Sequence, residues 1–314
     1  MLMMALIVSG LVVGGFWALG YITLWKSFFE AQHRTPAGLG LGLIVMIAIL
    51  LGNGESGFLL ASIAVATIVY WLDDLFSTNP LFRVVASLLV FGFFFSSSSE
   101  FALIEGGSLI FFVLIASIGA FALVNAINFS DGVNGNVAIT LLAMFVYLLL
   151  YSPANTQIHH INSIALGFSI SFLIVNLIFR AGYFGDIGCF LTIVLFFIIF
   201  DKLNLSLVEK VNLLGFFSYA LFDSAAVIFL RIMRKENLLK RHRNYTYQRL
   251  YDLHGGLVCL VPNLIFCGSY IALTRLLQLT ITEVFMVCSV LVVSIWGLCE
   301  AYLRDKDRRS RGSI

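Results

Sequence analysis

MLMMALIVSGLVVGGFWALGYITLW, residues 1–25, contains no acidic or basic side chain. About 20 apolar residues suffice for a helix to cross the hydrocarbon core of a bilayer, so this stretch predicts a spanning helix. It lacks a basic leading region and a small-residue cleavage site, and is read as a retained helix rather than a signal peptide. The pattern repeats outward from it. The chain has 314 residues, 60% hydrophobic and only 11% charged, with 30 Phe. Soluble domains are about half apolar and a quarter charged, which excludes that class.

Apolar runs fall roughly at 3–25, 39–52, 56–72, 81–96, 107–124, 136–151, 161–179, 187–201, 211–230, 255–273 and 281–300. The expected fold is all-α, a polytopic transmembrane helix bundle of about 11 helices. Of the 19 Lys and Arg, seven lie between Arg231 and Arg249 and five between Arg304 and Arg311. The positive-inside rule makes both segments cytoplasmic, and an odd number of spans then puts the N-terminus outside. Residues 1–303 read as one polytopic membrane domain and 304–314 as a basic cytoplasmic tail. The five cysteines are scattered and form no CxxC pair; they read as buried apolar groups.

With that topology, the chemically distinctive segments share the cytoplasmic side. YWLDDLFSTNPLFR, residues 70–83, places Asp73 and Asp74 directly after an apolar run, followed by Arg83. Neighbouring residues on a helix diverge by about 100°, so the two carboxylates suit divided roles, one on a metal and one on a substrate. In NAINFSDGVNG, residues 125–135, Asn125, Asn128 and Asp131 step by three and suit a polar headgroup or nucleotide. FRAGYFGDIGCF, residues 179–190, offers Asp186 as a further carboxylate. Such hard oxygen ligands suit Mg²⁺, or Mn²⁺, together with phosphate. RKENLLKRHRNYTYQRL, residues 234–250, supplies His242, Arg243 and a cationic surface that can grip phosphate. A weaker loop, EAQHRTPAGLGLG at 30–42, carries His33, Arg34 and Thr35. Each segment also has a plain reading as a solvated helix end, an Asx turn, a cap or a topology-setting loop. Together they describe phosphoryl transfer involving a lipid.

Taken in order, these motifs resemble the polyprenyl-phosphate N-acetylhexosamine-1-phosphate transferases, the glycosyltransferase 4 family. The resemblance rests on His33 to Gly42, on Asp73-Asp74 with Arg83, and on Asn125-x-x-Asn128-x-x-Asp131-Gly. It extends to Asn176 placed ten residues before Asp186, and to HRNYTYQRL, which looks most like the O-antigen-initiating subgroup. The resemblance implies transfer of a sugar 1-phosphate from a UDP-N-acetylhexosamine to undecaprenyl phosphate, releasing UMP, with Mg²⁺ at the cytoplasmic face of a bacterial inner membrane. It implies Asp74 and Asp186 as metal ligands and Asp73 acting on the lipid phosphate. Asn125, Asn128 and Asp131 would shape the nucleotide-sugar site, with His242 and Arg243 at the phosphates or sugar. Asn176, His33, Thr35 and Arg83 complete the substrate-binding set. Expected partners are the two substrates and the bilayer, with a homodimer compatible and no nucleic acid. Three positions depart from the family pattern: Asn134 for an acid, Cys189 for a Ser and Tyr245 for a His. Asp223 matches a family acid but reads as a buried hydrogen bond between helices.

Rival readings are a transporter or lipid-linked saccharide flippase, an intramembrane protease and an inactive family member. Transporters commonly gather polar groups at the midplane between internal repeats, whereas no repeat is evident here and the acids gather at one edge. No HExxH occurs, and YFGD lacks the first Gly of a Gly-x-Gly-Asp protease site.

Overall fold

The structure, a computed structural model, describes residues 2–29, 36–51, 57–76, 78–97, 106–151, 156–202, 205–237, 242–277 and 279–312. These form thirteen α-helices and no strand. In chain order they are α1 (Leu2–Phe29), α2 (Leu43–Leu51), α3 (Gly57–Phe76), α4 (Pro80–Ser97), α5 (Gly107–Ser130), α6 (Asn136–Tyr151) and α7 (Thr156–Leu173). There follow α8 (Gly185–Lys202), α9 (Leu207–Gly215), α10 (Ser218–Met233), α11 (Thr246–His254), α12 (Val261–Leu277) and α13 (Ile281–Gly312). A 3₁₀ turn, Leu39–Gly42, leads into α2, and a π turn, Ile174–Ile178, closes α7.

All eleven apolar runs carry helix, but their lengths differ. Seven described helices are long and apolar enough to cross a membrane, and α9 with α10, bent by 54°, make an eighth if they are one span. That is the number length and composition support, against the eleven expected. Helices α2 and α6 are shorter, and α8 carries Asp186, Asp201 and Lys202 within 18 residues. Helix ends also outrun the apolar runs. α3 continues to Phe76, α5 to Ser130 and α13 through the basic segment to Gly312. Backbone hydrogen bonding carries a helix on after its side chains turn polar.

Contacts divide the chain into two compact units. The first comprises residues 1–128 and 152–205, the second 129–151 and 206–314. At the centre of the first is α8, in which every residue from Ile187 to Ile199 is buried. A helix apolar all round has no face to offer water and belongs in the interior. Tyr70 of α3 stacks on Phe190 at 4.6 Å and donates to, or accepts from, Ser87 of α4 at 2.6 Å. Helices α1 and α7 meet through small residues: a Cβ added at Gly10 would strike the Ile164 carbonyl, and one at Gly167 the backbone of Ile7 and Leu11. Ser171 donates to the Leu11 carbonyl across the same seam at 2.5 Å. Without a hydrophobic drive between helices in lipid, such close backbone approach supplies the association. Away from this seam α1 exposes Leu2, Met4, Phe16 and Leu19, while Ala18, Tyr21, Ile22 and Trp25 are buried.

The second unit holds its helices by buried polar bonds. Asn263 of α12 donates to the Asn136 side chain at 2.8 Å and to Thr140 at 3.1 Å, both on α6. Tyr270 donates to the Asn212 carbonyl at 3.0 Å. A capping box between Ser206 and Glu209 starts α9, satisfying amides that would otherwise lack partners.

Overpacking a close helix seam typically costs about 1–3 kcal/mol. Gly167→Val should therefore lower the thermal midpoint of the detergent-solubilised protein. Gly15→Ala, where the added carbon meets nothing within 4 Å, should leave it unchanged or raised. Equal midpoints for the two variants would refute the α1–α7 seam.

Candidate active site

The acids of the first unit converge where α3 ends and α8 begins. Asp74, in the last turn of α3, accepts the backbone N–H of Asp186 at 2.9 Å and of Ile187 at 3.1 Å. A helix start leaves amides without intrahelical partners and carries partial positive charge. Asp74 thus caps α8 from another helix. Gly185 makes this possible: its φ is +82°, and a side chain there would meet both Gly38 and the Asp74 carboxylate. The described part of the glycine loop frames the same point. Tyr183 donates its N–H to the Pro36 carbonyl at 2.8 Å, and Gly40 donates to Phe184 at 3.0 Å. The Tyr21 hydroxyl donates to Ala37 at 2.7 Å.

Asp73 points elsewhere, as the 100° offset requires. It accepts from the Thr78 hydroxyl at 2.7 Å and pairs with Arg83 Nε at 3.3 Å. A second nitrogen of Arg83, in the first turn of α4, donates to the Asp186 carboxylate. Arg83 therefore bridges two carboxylates 113 positions apart in sequence (186 − 73). Two carboxylates against one guanidinium leave one negative charge. Asp186 remains 16% exposed and Arg83 20%, so the cluster is open to an incoming ligand. It opens on a cavity of about 70 Å³ lined by Tyr70, Arg83, Asn125, Asn128 and Asp186 among others, room for several waters.

Asn125 and Asn128 lie three apart on the last turns of α5 and share a face; the Asn125 amide also donates to the Phe121 carbonyl at 2.8 Å. Asn176 is 1% exposed inside the π turn and donates to the Gly182 carbonyl at 2.8 Å. It shapes the loop that delivers Gly185 and Asp186. A π turn in this position is a common mark of a functional site. Cys189 is fully buried on α8. His33 and Thr35 lie outside the described residues.

The remaining candidates belong to the second unit. Asp131 follows α5 in a turn and is 7% exposed. Beside it, Tyr247 donates its hydroxyl to the Phe129 carbonyl. Burial, then Asp223, Tyr245 and Asp131, push the Tyr247 phenol well above its usual range. Arg243 forms two bonds to Asp252, at 2.8 and 3.2 Å, with both side chains exposed. An exposed pair of this kind is worth little and can yield to a phosphate. His242 lies against the Tyr245 ring at 4.9 Å, and Tyr245 stacks on Phe129 and Tyr247. Tyr245 is thus an aromatic wall beside His242.

Asp223 behaves as the sequence suggested, as a buried hydrogen bond between helices. It accepts from the Thr246 hydroxyl at 2.6 Å, from the Thr246 N–H, and from the Trp296 indole at 3.0 Å. It caps α11 as Asp74 caps α8. Three residues of these networks were missed in the sequence: Thr78, Thr246 and Trp296. Thr78 carried a weak signal, a hydroxyl five residues after Asp73 in a turn before Pro80. The other two are joined to Asp223 only by the fold.

Among the described residues no three Asp, Glu, His or Cys side chains are grouped to enclose a metal. Mg²⁺ does not require such a cage; it binds through one or two carboxylates plus substrate phosphates. Asp186, an oxygen donor lining the cavity, fits that chemistry, whereas the two oxygens of Asp73 are engaged by Thr78 and Arg83. Asp74 has both oxygens engaged with amides.

His242 gives a pH test. Burial and then the Arg231 cation disfavour its imidazolium and lower its pKa from 6.5, while Glu236 opposes them. The folded state then binds fewer protons than the unfolded chain, so His242's contribution to stability is complete above 6.5 and is lost as pH falls below it. NMR titration of labelled histidine should place His242 below 6.5, and Glu236→Gln should lower it further. A value above 6.5 would overturn the placement of the ring.

Residues 56–204 match the family model described as glycosyl transferase family 4. No curated protein matches the chain. The matched segment contains Asp73, Asp74, Arg83, Asn125, Asn128, Asp131, Asn176 and Asp186, and excludes His242 and Arg243. Over that segment the chain is similar to a transferase family, and its apolar helices are those of a membrane protein.

Proposed function

We propose that the protein transfers an N-acetylhexosamine 1-phosphate from a UDP-sugar to undecaprenyl phosphate, releasing UMP. The step would initiate O-antigen or another surface polysaccharide, at the cytoplasmic face of a bacterial inner membrane. The observation that carries this reading is the Asp73–Arg83–Asp186 cluster, set on three helices of the matched segment and opening on a cavity rimmed by Asn125 and Asn128. The family similarity supports the general reaction.

In that reaction an oxygen of the acceptor phosphate bonds to the donor phosphorus nearest the sugar, and the bond from that phosphorus to the UMP oxygen breaks. Catalysis of such a transfer is mostly positioning and charge stabilisation. Asp73, held by Thr78 and Arg83, is assigned to orient the acceptor phosphate. Arg83 provides a guanidinium that a phosphate can share with the carboxylates it now bridges. Asp186 would hold Mg²⁺ together with Asp74, whose carboxylate meets the Asp186 backbone, and Mn²⁺ could substitute. The ion would supply neutralisation of the phosphate charge. Asn125 and Asn128 are assigned to the nucleotide-sugar, as is Asp131. His242 and Arg243 are assigned to the donor's phosphates or sugar.

The test is incubation of purified protein with undecaprenyl phosphate and UDP-linked N-acetylglucosamine, N-acetylgalactosamine, N-acetylfucosamine or N-acetylquinovosamine, followed by mass spectrometry of the lipid. One donor should give a sugar-diphosphate lipid in Mg²⁺, and Asp186→Asn should lower the rate by about 10²-fold or more with the thermal midpoint retained. No product from any donor refutes the reaction. Full turnover by Asp186→Asn, or in excess EDTA, refutes the metal assignment.

A further inference from the structure

The second unit contains a cavity that the proposed reaction does not use. It encloses about 380 Å³ between the end of α10, the start of α11 and the middle of α13. Pockets of roughly 300–1,000 Å³ are the size of small-ligand sites. Four guanidinium groups line it, those of Arg231, Arg234, Arg249 and Arg304, with Val227, Leu230 and the Trp296 indole supplying apolar surface.

The four arginines fall into two kinds. Arg231 is 4% exposed and is fixed by Glu236 at 3.0 Å, and Arg249 is fixed by Glu300 at 2.7 Å. These two are built walls. Arg234 and Arg304 are about two-thirds exposed and approach Glu236 and Glu300 only at 3.8 Å, beyond hydrogen-bond length. Set against the four cations are Glu236, Glu300 and Asp223 behind the indole, so 4 − 3 leaves a positive charge even with every acid ionised. Guanidinium is the side chain best matched to phosphate oxygens.

The helices that carry this cavity also expose apolar side chains within a turn of it: Phe229, Ile232 and Met233 on α10, and Val293 and Leu298 on α13. A basic pocket between membrane helices, flanked by exposed apolar surface, is the recognised form of an anionic-lipid headgroup site. We infer that this cavity binds a phosphate group, and that the phosphate is the headgroup of an anionic phospholipid. The inference uses none of the residues assigned to the sugar-phosphate transfer, so the two stand or fall separately.

The experiment titrates the full-length protein in detergent with phosphatidylglycerol, with phosphatidylcholine of the same acyl chains, and with inorganic pyrophosphate. Bound adducts are read by native mass spectrometry. Phosphatidylglycerol should bind at least about 10-fold more tightly than phosphatidylcholine. The doubly substituted Arg234→Gln/Arg304→Gln protein should lose that preference. Both side chains are exposed, so the fold should persist, and an unchanged thermal midpoint checks it. Pyrophosphate that displaces phosphatidylglycerol from the wild type confirms phosphate recognition. Pyrophosphate binding that depends on the two arginines, without any lipid preference, keeps the phosphate site but refutes the lipid headgroup as its source. Equal binding of both lipids together with no arginine-dependent pyrophosphate binding overturns the inference.

Discussion

The carboxylate of Asp74 holding the first amides of α8 is the contact on which the first unit's chemistry depends. Helix α8 is buried along nearly its whole length, so its N-terminal amides have little access to water and must be satisfied by protein. One carboxylate on α3 does this, at the point where Gly185 turns the chain with positive φ. The consequence is positional. Once the amides of Asp186 and Ile187 are fixed, the Asp186 side chain is presented beside Arg83 and Asp73, at the rim of the small cavity. Adjacent acids on one helix end thereby take different work: Asp74 holds the backbone, while Asp73, itself buried, holds Thr78 and Arg83.

The second unit repeats the device. Asp223 on α10 satisfies the Thr246 N–H at the start of α11 and ties the Trp296 indole of α13 to the same carboxylate. α11 has nine residues, and it buries Thr246, Tyr247, Gln248 and Leu250. A helix of nine residues is marginal without tertiary support, and the Asp223 cap supplies some of it. In both units an acid that resembles a catalytic group by its setting in an apolar run serves to start a helix.

Much of this was legible in the residues. The apolar periodicity announced a helical membrane protein, and Asp73-Asp74, Asn125-x-x-Asn128 and Gly185-Asp186 were visible as breaks in it. The interhelical reading of Asp223 followed from its place inside FFSYALFDSAAVIFLR. Helix ends were less legible, because residues such as Asp73, Asn128 and Arg304 look like loop yet continue their helices. The partner of Asp74 was not legible at all. It is a backbone amide more than a hundred residues away, and backbone groups carry no sequence signature. Arg83 was visible as a substrate-binding candidate, but its bridge between Asp73 and Asp186 required the two helices to be seen together.

The claim that Asp74 positions the start of α8 is tested most directly by hydrogen–deuterium exchange of the segment 184–190 in the wild type and in Asp74→Ala. Loss of an N-cap carboxylate costs about 1 kcal/mol, which should speed exchange at the Asp186 and Ile187 amides several-fold while residues 191–199 stay protected. Unchanged exchange at those two amides would contradict the account, because the carboxylate would then not be what holds them.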